Sequence, residues 1–188
     1  MSPVPLTVVS AGVGYPRPTR LLADQITRSV CGSLTASGVR VEVEVLELCR
    51  LAADLAQCST QGRASLDLRE AIAAIAATDG LVVATPVVVT SPSDVFESFF
   101  DILEDGVLSG RPVLLAANSG SRWRPPGIGQ VMRDRLTRSQ AEPVPTVVVA
   151  GPEDWERSAH GCSRRLRERI DQAAAEFVAA VGPPRRSG

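Results

Sequence analysis

A chain of 188 residues, 44% of them hydrophobic, is long enough to bury one substantial core, which speaks against a disordered protein. The formal net charge of -1, without a basic stripe interleaved with aromatic residues, makes nucleic acid a poor partner. No apolar run approaches the roughly 20 residues of a membrane span, and no charged leader precedes an apolar segment, so we expect a cytoplasmic protein without membrane contact.

Five short strands are predicted from their apolar patterns. The first, 6–10, is rich in valine, and the second, 39–46, alternates valine with arginine and glutamate, as an edge strand with one wetter face does. The third, 81–84, is a continuous apolar run typical of a strand buried on both faces. Two further apolar runs, at 112–117 and 144–150, complete the set.

Helices are predicted between these strands from apolar residues at helical spacing. Ser91 can cap a helix in which Pro92 takes the first position and Asp94 lies three residues after the cap, so the third helix is expected to begin there. Residues 47–64 are expected to hold one or two helical turns and a loop. The predicted helices span 19–37, 65–78, 91–106, 128–138 and 163–181, and a disordered tail is expected at 183–188.

The order of these elements predicts the architecture. Strands that alternate with helices form a parallel sheet with helices on both faces, and five strands favour a flavodoxin-like α/β three-layer sandwich with strand order 2-1-3-4-5. We expect one such domain over residues 1–182. Ligands bind such sheets beyond the carboxyl ends of the strands where the order reverses, here between strands one and three. That position brings together the loops 11–18, 85–92 and 118–126.

The junction between the first strand and the first helix has the composition of a phosphate site. Ser10 and Gly12 begin the loop, Pro18 suits the first helical position, and Thr19 and Arg20 follow it. The free N–H groups and the positive end of a helix favour an anion at such a junction. The glycine spacing fits neither the P-loop nor the dinucleotide-binding pattern, so an ordinary strand-to-helix connection is the alternative.

Neither a metal site nor a catalytic triad is predicted. His160 is the only histidine and lies two residues from Cys162, which is too sparse a set for zinc and supplies no base for a Ser/His/Asp triad. The other cysteines form no C-x-x-C pair, so isolated thiols in a reducing compartment are expected. These cysteines are Cys31, Cys49 and Cys58.

Four segments carry a resemblance to a known family: VVSAGVGYPRPTRLLAD at 8–24, DGLVVATPVVVTSPSDVFESFFDIL at 79–103, RPVLLAANSGS at 111–121 and VPTVVVAGPEDW at 144–155. Across 6–181 the chain resembles the NADPH-dependent FMN reductase family, a flavodoxin-like group, and looks closest to actinobacterial reductases that partner flavin-dependent monooxygenases. The resemblance implies FMN as cofactor, NADPH as co-substrate, a flavin or small aromatic or quinone acceptor, and a homodimer or homotetramer. Because the flavin performs the hydride step, no catalytic side chain is implied.

The resemblance also implies which residues bind FMN. In that family the first loop holds the phosphate, the Thr-Pro segment after the third strand lines the isoalloxazine ring, and the loop after the fourth strand touches the ring. The phosphate residues that match are Ser10, Thr19 and Arg20, and the ring residues are Thr85, Pro86, Val87, Val88, Ser119, Gly120 and Ser121. Gly12 and Arg17 of the same first loop are further candidates for FMN binding, Arg17 because its charge can replace hydroxyl donors.

The chain departs from the family pattern at all three loops. Arg17 and Pro18 replace two serines that usually precede the Thr-Arg pair. Valines at 88–89 stand where an aromatic residue and a lysine are typical, and Pro-Ser-Asp at 92–94 replaces Tyr-Ser-Gly. Arg-Trp-Arg at 122–124 stands where a Gly-Gly pair and a nearby histidine are expected.

These departures leave two alternatives open. In the first, a divergent flavodoxin-like protein has lost flavin binding and acts as an enzyme on another anionic ligand, which Arg17, Arg122 and Arg124 would hold. In the second, the chain is a non-catalytic subunit whose valines at 87–89 face a partner. The three phenylalanines of 96–100 cover more than one side of their helix, which fits either a dimer interface or a helix packed on two sides within the monomer.

Overall fold

The computed structural model describes residues 3–12, 18–155 and 161–181, and the predicted tail lies outside them. The strands are β1 (Val4–Ser10), β2 (Val41–Glu47), β3 (Gly80–Val88), β4 (Ser91–Pro92), β5 (Pro112–Ser119), β6 (Glu142–Pro143) and β7 (Val148–Ala150). The helices are α1 (Pro18–Ala36), α2 (Ala52–Gln61), α3 (Leu66–Ala77), α4 (Asp94–Asp101), α5 (Ile128–Arg138) and α6 (Arg164–Val181), with 3₁₀ turns at Leu48–Leu51 and Pro152–Asp154.

The sheet has the predicted strand order. β1 lies between β2 and β3, β3 is followed by β5, and all of these neighbours are parallel. β6 and β7 both pair in parallel with β5; β7 lies within the predicted fifth strand at 144–150, and β6 lies just before it. The flavodoxin-like order 2-1-3-4-5 is therefore confirmed, with β5 as its fourth strand.

The predicted fifth strand is interrupted between β6 and β7. Pro143 and Pro145 lack the N–H groups with which a strand donates to its neighbour. Arg133 of α5 binds the carbonyl groups of this segment instead. Its Nη1 donates to the carbonyl oxygens of Pro143 and Val144 at 3.2 and 3.0 Å, and its Nη2 donates to that of Pro145 at 2.7 Å. One guanidinium group therefore satisfies three backbone acceptors where the strand is broken.

β3 continues beyond its predicted end and forms a hairpin with β4, so the sheet is not wholly parallel. β3 runs to Val88, which pairs antiparallel with Ser91, and Val89 turns the chain with a φ of 57°. The prediction that Ser91 caps the next helix is wrong. Ser93 is the cap of α4, since its hydroxyl group accepts a hydrogen bond from the N–H of Phe96 at 3.4 Å. Both serines have capping chemistry, and the pairing of β4 with β3 leaves only the second free for that role.

The helices cover both faces of the sheet and bury two separate cores. α1 and α6 pack on one face around residues such as Ile26 and Phe177. α2, α3, α4 and α5 pack on the other face around Phe96, Phe99 and Phe100. Those three phenylalanines are at most 2% exposed, so packing within the monomer accounts for them and they do not indicate a dimer.

Among residues 3–12, 18–155 and 161–181, no helix is both long and apolar enough to cross a membrane. The same parts of the chain contain no group of three side chains that could hold a metal ion. The four cysteines are free thiols, and burial raises the pKa of the Cys31 thiol on α1.

Candidate functional site

The carboxyl ends of β1, β3 and β5 meet at the predicted switch point. Ser10, the last residue of β1, lies in register between Glu47 of β2 and Ala84 of β3. Ala11 extends this contact, because its N–H donates to the carbonyl oxygen of Ala84 at 2.8 Å. Apart from Arg17, which lies outside the described residues, the predicted site residues all lie on these strand ends, their loops or the first turn of α1.

Gly12 makes a close approach to the first turn of α1. The helix begins at Pro18, and Thr19 is only 2% exposed. A Cβ atom on Gly12 would lie 2.9 Å from the Cβ of Thr19, which is closer than real side chains come. Glycine therefore allows the loop backbone to approach the N-terminus of α1, where the N–H groups lack partners within the helix and favour an anion.

Two carboxylates hold Arg20 in the first turn of α1. Its Nε donates to Oδ1 of Asp24 at 2.8 Å, and its Nη1 donates to Oε1 of Glu47 at 2.6 Å. The hydrogen bond to Asp24 is the main cause that raises the pKa of Arg20 above its usual range. Sequence reasoning missed both partners. The i,i+4 spacing of Arg20 and Asp24 was a visible signal, whereas Glu47 is 27 residues away and is brought in by the sheet.

Thr85 is buried and braces the β3–β4 hairpin. Its hydroxyl group donates to the carbonyl oxygen of Pro86 at 3.1 Å and accepts from the N–H of Ser93 at 3.1 Å. The Ser93 hydroxyl in turn donates to the carbonyl oxygen of Ala11 at 3.4 Å. Thr85 is 0% exposed, so the structure gives it a positioning role behind the loops that follow β1 and β3.

Thr85→Val is expected to lower the free energy of unfolding by about 1–2 kcal/mol, because valine fills nearly the same space but leaves the N–H of Ser93 without its acceptor. Urea unfolding followed by circular dichroism measures the change. Thr90→Val at the exposed tip of the hairpin is the matched control and should change stability by less than about 0.5 kcal/mol. Equal effects of the two substitutions would contradict the bracing role.

The hairpin presents an apolar rim next to this crevice. Val87 is half-buried, whereas Val88 is 53% exposed and Val89 is 80% exposed. Val89 also has a positive φ, which a β-branched residue rarely adopts. The turn therefore keeps two valines in solvent at the end of β3.

The loop after β5 is closed by its own hydrogen bonds. The hydroxyl groups of Ser119 and Ser121 both donate to the carbonyl oxygen of Trp123, at 2.8 and 3.1 Å. The N–H of Ser121 donates to the Ser119 hydroxyl at 3.3 Å. Gly120 lies between the two serines, and a Cβ atom there would meet no described atom within 4 Å. The serine hydroxyls thus shape the loop and leave Gly120 on its outer surface.

Arg124 joins the loop after β5 to the loop after β7. Its Nη2 donates to Oε1 of Glu153 at 2.7 Å and to Oδ2 of Asp154. Asp154 is 4% exposed and also accepts hydrogen bonds from the N–H of Gly151 and the hydroxyl of Ser163, both at 2.9 Å. Arg124 is therefore bound by two carboxylates, as Arg20 is.

The fold and the sequence both have well-matched relatives. The structure of an oxidoreductase from Corynebacterium diphtheriae superposes with a TM-score of 0.86 at 36% identity, covering 95% of this chain and 97% of that one. An NADPH-dependent FMN reductase from Pseudomonas aeruginosa is 29% identical over 95% of this chain and 94% of its own length. An NADH-dependent FMN reductase, SfnE, from Pseudomonas putida is 28% identical over 93% and 94% of the two chains.

The match at family level covers the strand ends described above. The model of the NADPH-dependent FMN reductase family matches residues 6–156, which include β1 from Leu6 onward, β2 to β7 and the loops that follow β1, β3 and β5. This span is more than half of the chain. The chain therefore belongs to the NADPH-dependent FMN reductase family.

Proposed function

We propose that this chain binds FMN and reduces it with NADPH or NADH. The observation that carries the proposal is the close approach of Gly12 to Thr19 at the N-terminus of α1, because it brings the loop backbone against the N–H groups of that helix end and so forms a backbone cradle at the switch point of the sheet. FMN supplies the hydride chemistry when bound. The task of this chain is then to bind the flavin, orient it and keep water from its reactive face.

The phosphate group of FMN fits the first loop. Ser10 and Thr19 carry hydroxyl groups at the end of β1 and in the first turn of α1, and Gly12, which has no Cβ atom, lets the loop lie close to Thr19. The N–H groups of that first turn add the partial positive charge of the helix end. Arg20 adds a full positive charge beside them, and Arg17 is proposed as a second cationic ligand.

The isoalloxazine ring is proposed to lie between the β3–β4 hairpin and the loop after β5. Residues 86–88 offer an apolar wall, and the open surface at Gly120 lets a flat ring approach the opposite loop. Thr85, Ser119 and Ser121 support these two loops through their internal hydrogen bonds. The wall is aliphatic, so the ring packs by apolar contact rather than by stacking on an aromatic residue.

Reduced flavin is proposed to pass to a flavin-dependent monooxygenase, with a small aromatic or quinone acceptor as the alternative destination of the electrons. The exposed rim of Val88 and Val89 is compatible with a crevice that opens to a partner. A homodimer or homotetramer is proposed as the assembly. Analytical ultracentrifugation of the FMN-loaded protein tests that assembly directly.

The proposed flavin site is tested by a visible absorption spectrum of the purified protein and an FMN titration. Gly12→Ala should weaken FMN binding by about 1–3 kcal/mol, roughly 5- to 150-fold in Kd, because its methyl group pushes Thr19 away from the cradle. Gly32→Ala within α1 is the matched control, since a Cβ atom there meets nothing within 4 Å and the position is outside the site. It should bind FMN as the unaltered protein does.

Two results would contradict the proposal. A colourless protein that does not respond to FMN would favour a chain that has lost flavin binding, and the search would turn to other anions and to protein partners. Unchanged FMN affinity in Gly12→Ala would mean that the phosphate lies elsewhere. NADPH and NADH oxidation by the FMN-loaded protein then determines which nucleotide is the co-substrate.

A further inference from the structure

We infer that a cavity beside the proposed flavin site binds the 2′-phosphate of NADPH, so that this chain prefers NADPH to NADH as its co-substrate. The inference deepens the proposed function and rests on it, because it selects between the two nucleotides that the proposed function allows. The 2′-phosphate is the group by which these nucleotides differ. A site that recognises it must supply positive charge and hydrogen-bond donors.

The cavity lies where α5 and α6 begin, at the edge of the sheet that β7 forms. α5 and α6 cover opposite faces of the sheet, so the space between them opens along this edge. Its volume is about 450 Å³, which is within the range of small-molecule sites. Part of the wall is apolar, since Ile128 of α5 and Leu166 of α6 line it and are 3% and 2% exposed. Such a wall suits the base and the sugar of a nucleotide.

Three arginines line the same cavity. Arg124 comes from the loop after β5, whereas Arg165 and Arg169 lie four residues apart on α6 and therefore share one face of that helix. Within the described residues, Arg165 has no hydrogen-bond or ion-pair partner, and Arg169 uses only its Nε, which donates to the carbonyl oxygen of Val147. The remaining guanidinium nitrogens of Arg165 and Arg169 are therefore available to an anion.

A buried nitrogen of this arginine cluster has no acceptor. Among residues 3–12, 18–155 and 161–181, Nε of Arg124 is the one buried side-chain nitrogen or oxygen without a hydrogen-bond partner. Buried polar groups are nearly always paired, so this donor points to an acceptor that comes from outside the chain. The start of α5 at the same cavity has neither a side-chain cap nor an acidic residue in its first turn, which also favours an anion there.

The cavity lies close to the proposed position of the isoalloxazine ring. Arg124 is four residues after Gly120, so the Cα atoms of these residues are at most about 14 Å apart. β7 is the direct neighbour of β5, and Ala150 at its end is the register partner of Asn118. An extended dinucleotide is longer than this separation, so one molecule can reach both the flavin and the arginines.

The direct test compares the affinities for adenosine 2′-monophosphate and adenosine, which differ by the phosphate alone. Isothermal titration calorimetry on the full chain at low ionic strength measures both. The unaltered protein should bind the phosphorylated ligand at least about tenfold more tightly, and Arg165→Gln should reduce this preference about three- to tenfold. Arg164→Gln is the matched control, because it makes the same charge change at the preceding residue, which is exposed, pairs with Glu168 and lies outside the cavity wall. It should leave the preference unchanged.

The second test compares kcat/KM for NADPH and for NADH in the FMN-loaded protein. Arg165→Gln should lower the ratio of the two values about three- to tenfold, and adding Arg169→Gln should lower it further. Arg164→Gln should keep the ratio of the unaltered protein. The ratio cancels any general effect of a substitution on folding or on flavin content.

Three results would overturn the inference. Equal affinities for adenosine 2′-monophosphate and adenosine would mean that the cavity does not recognise the phosphate. Equal losses in Arg164→Gln and Arg165→Gln would show only the general positive charge of α6. A preference that Arg165→Gln reduces in calorimetry, with an unchanged NADPH-to-NADH ratio, would mean that the co-substrate does not use this cavity. Failure of the proposed function is a different result, in which FMN does not bind although adenosine 2′-monophosphate still binds through Arg165.

Discussion

Phe177→Ala is expected to lower the free energy of unfolding by about 3–5 kcal/mol. Phe177 is 0% exposed and lies in the core between α6 and the sheet, directly over Gly80 at the start of β3. Its removal leaves a cavity that the rigid strand beneath cannot fill. The free energy of unfolding therefore loses both the burial contribution of the ring and the packing contacts around the cavity. Urea unfolding monitored by circular dichroism measures the change.

Gly80→Ala provides the matched partner for a double-mutant cycle. A Cβ atom on Gly80 would lie 2.6 Å from Cζ of Phe177 and 3.2 Å from Cγ2 of Val181, so the single substitution should cost about 1–3 kcal/mol. In the Phe177→Ala background the new methyl group enters vacated space, and the same substitution should cost much less or become stabilising. Additive costs would mean that the two positions do not share this contact.

Asp154→Ala is expected to cost about 2–4 kcal/mol of unfolding free energy. The substitution removes the acceptor for the N–H of Gly151, the hydroxyl of Ser163 and the guanidinium of Arg124 together. Arg124 keeps some access to water, which places the cost below that of breaking a fully buried ion pair. Thermal and urea unfolding measure the loss.

Glu153→Ala is the control for Asp154→Ala. Glu153 is the adjacent residue and binds the same nitrogen of Arg124, but its side chain is 39% exposed and the pair is screened by water. Its removal should cost no more than about 1 kcal/mol. If the two substitutions lower the free energy of unfolding by the same amount, Asp154 is not the main contact between the loops after β5 and β7.

The main strands were predictable because buried parallel strands leave a strong apolar pattern. The runs at 81–84 and 112–117 correspond to β3 and β5, and the alternating 39–46 corresponds to β2. The hairpin after β3 was not predictable, because it depends on a left-handed Val89 that no local rule favours and on pairing between Val88 and Ser91. The apolar run at 144–150 did not indicate that the strand is interrupted there, which proline and Arg133 bring about together.

The location of the candidate site could be predicted from the strand order, whereas the hydrogen-bond and ion-pair partners of its side chains could not. The order of strands alone places Ser10 and the first turn of α1 at the switch point. Glu47 binds Arg20 across a sequence separation of 27 residues, and Asp154 binds Arg124 across a separation of 30. Only the folded sheet brings these partners together. Sequence reasoning placed Thr85 in the segment that lines the ring but did not show that its buried hydroxyl group would accept a hydrogen bond from the N–H of Ser93.

Arg133, which binds the carbonyl groups between β6 and β7, also affects the solubility of the protein. An outer strand with unpaired carbonyl groups is a template on which another chain can add a strand and begin aggregation. Here Arg133 occupies the carbonyl oxygens of Pro143, Val144 and Pro145, and Nε of Arg169 donates to that of Val147 at 3.0 Å. An approaching strand would have to displace two guanidinium groups before it could pair, so this margin of the sheet resists edge-to-edge aggregation.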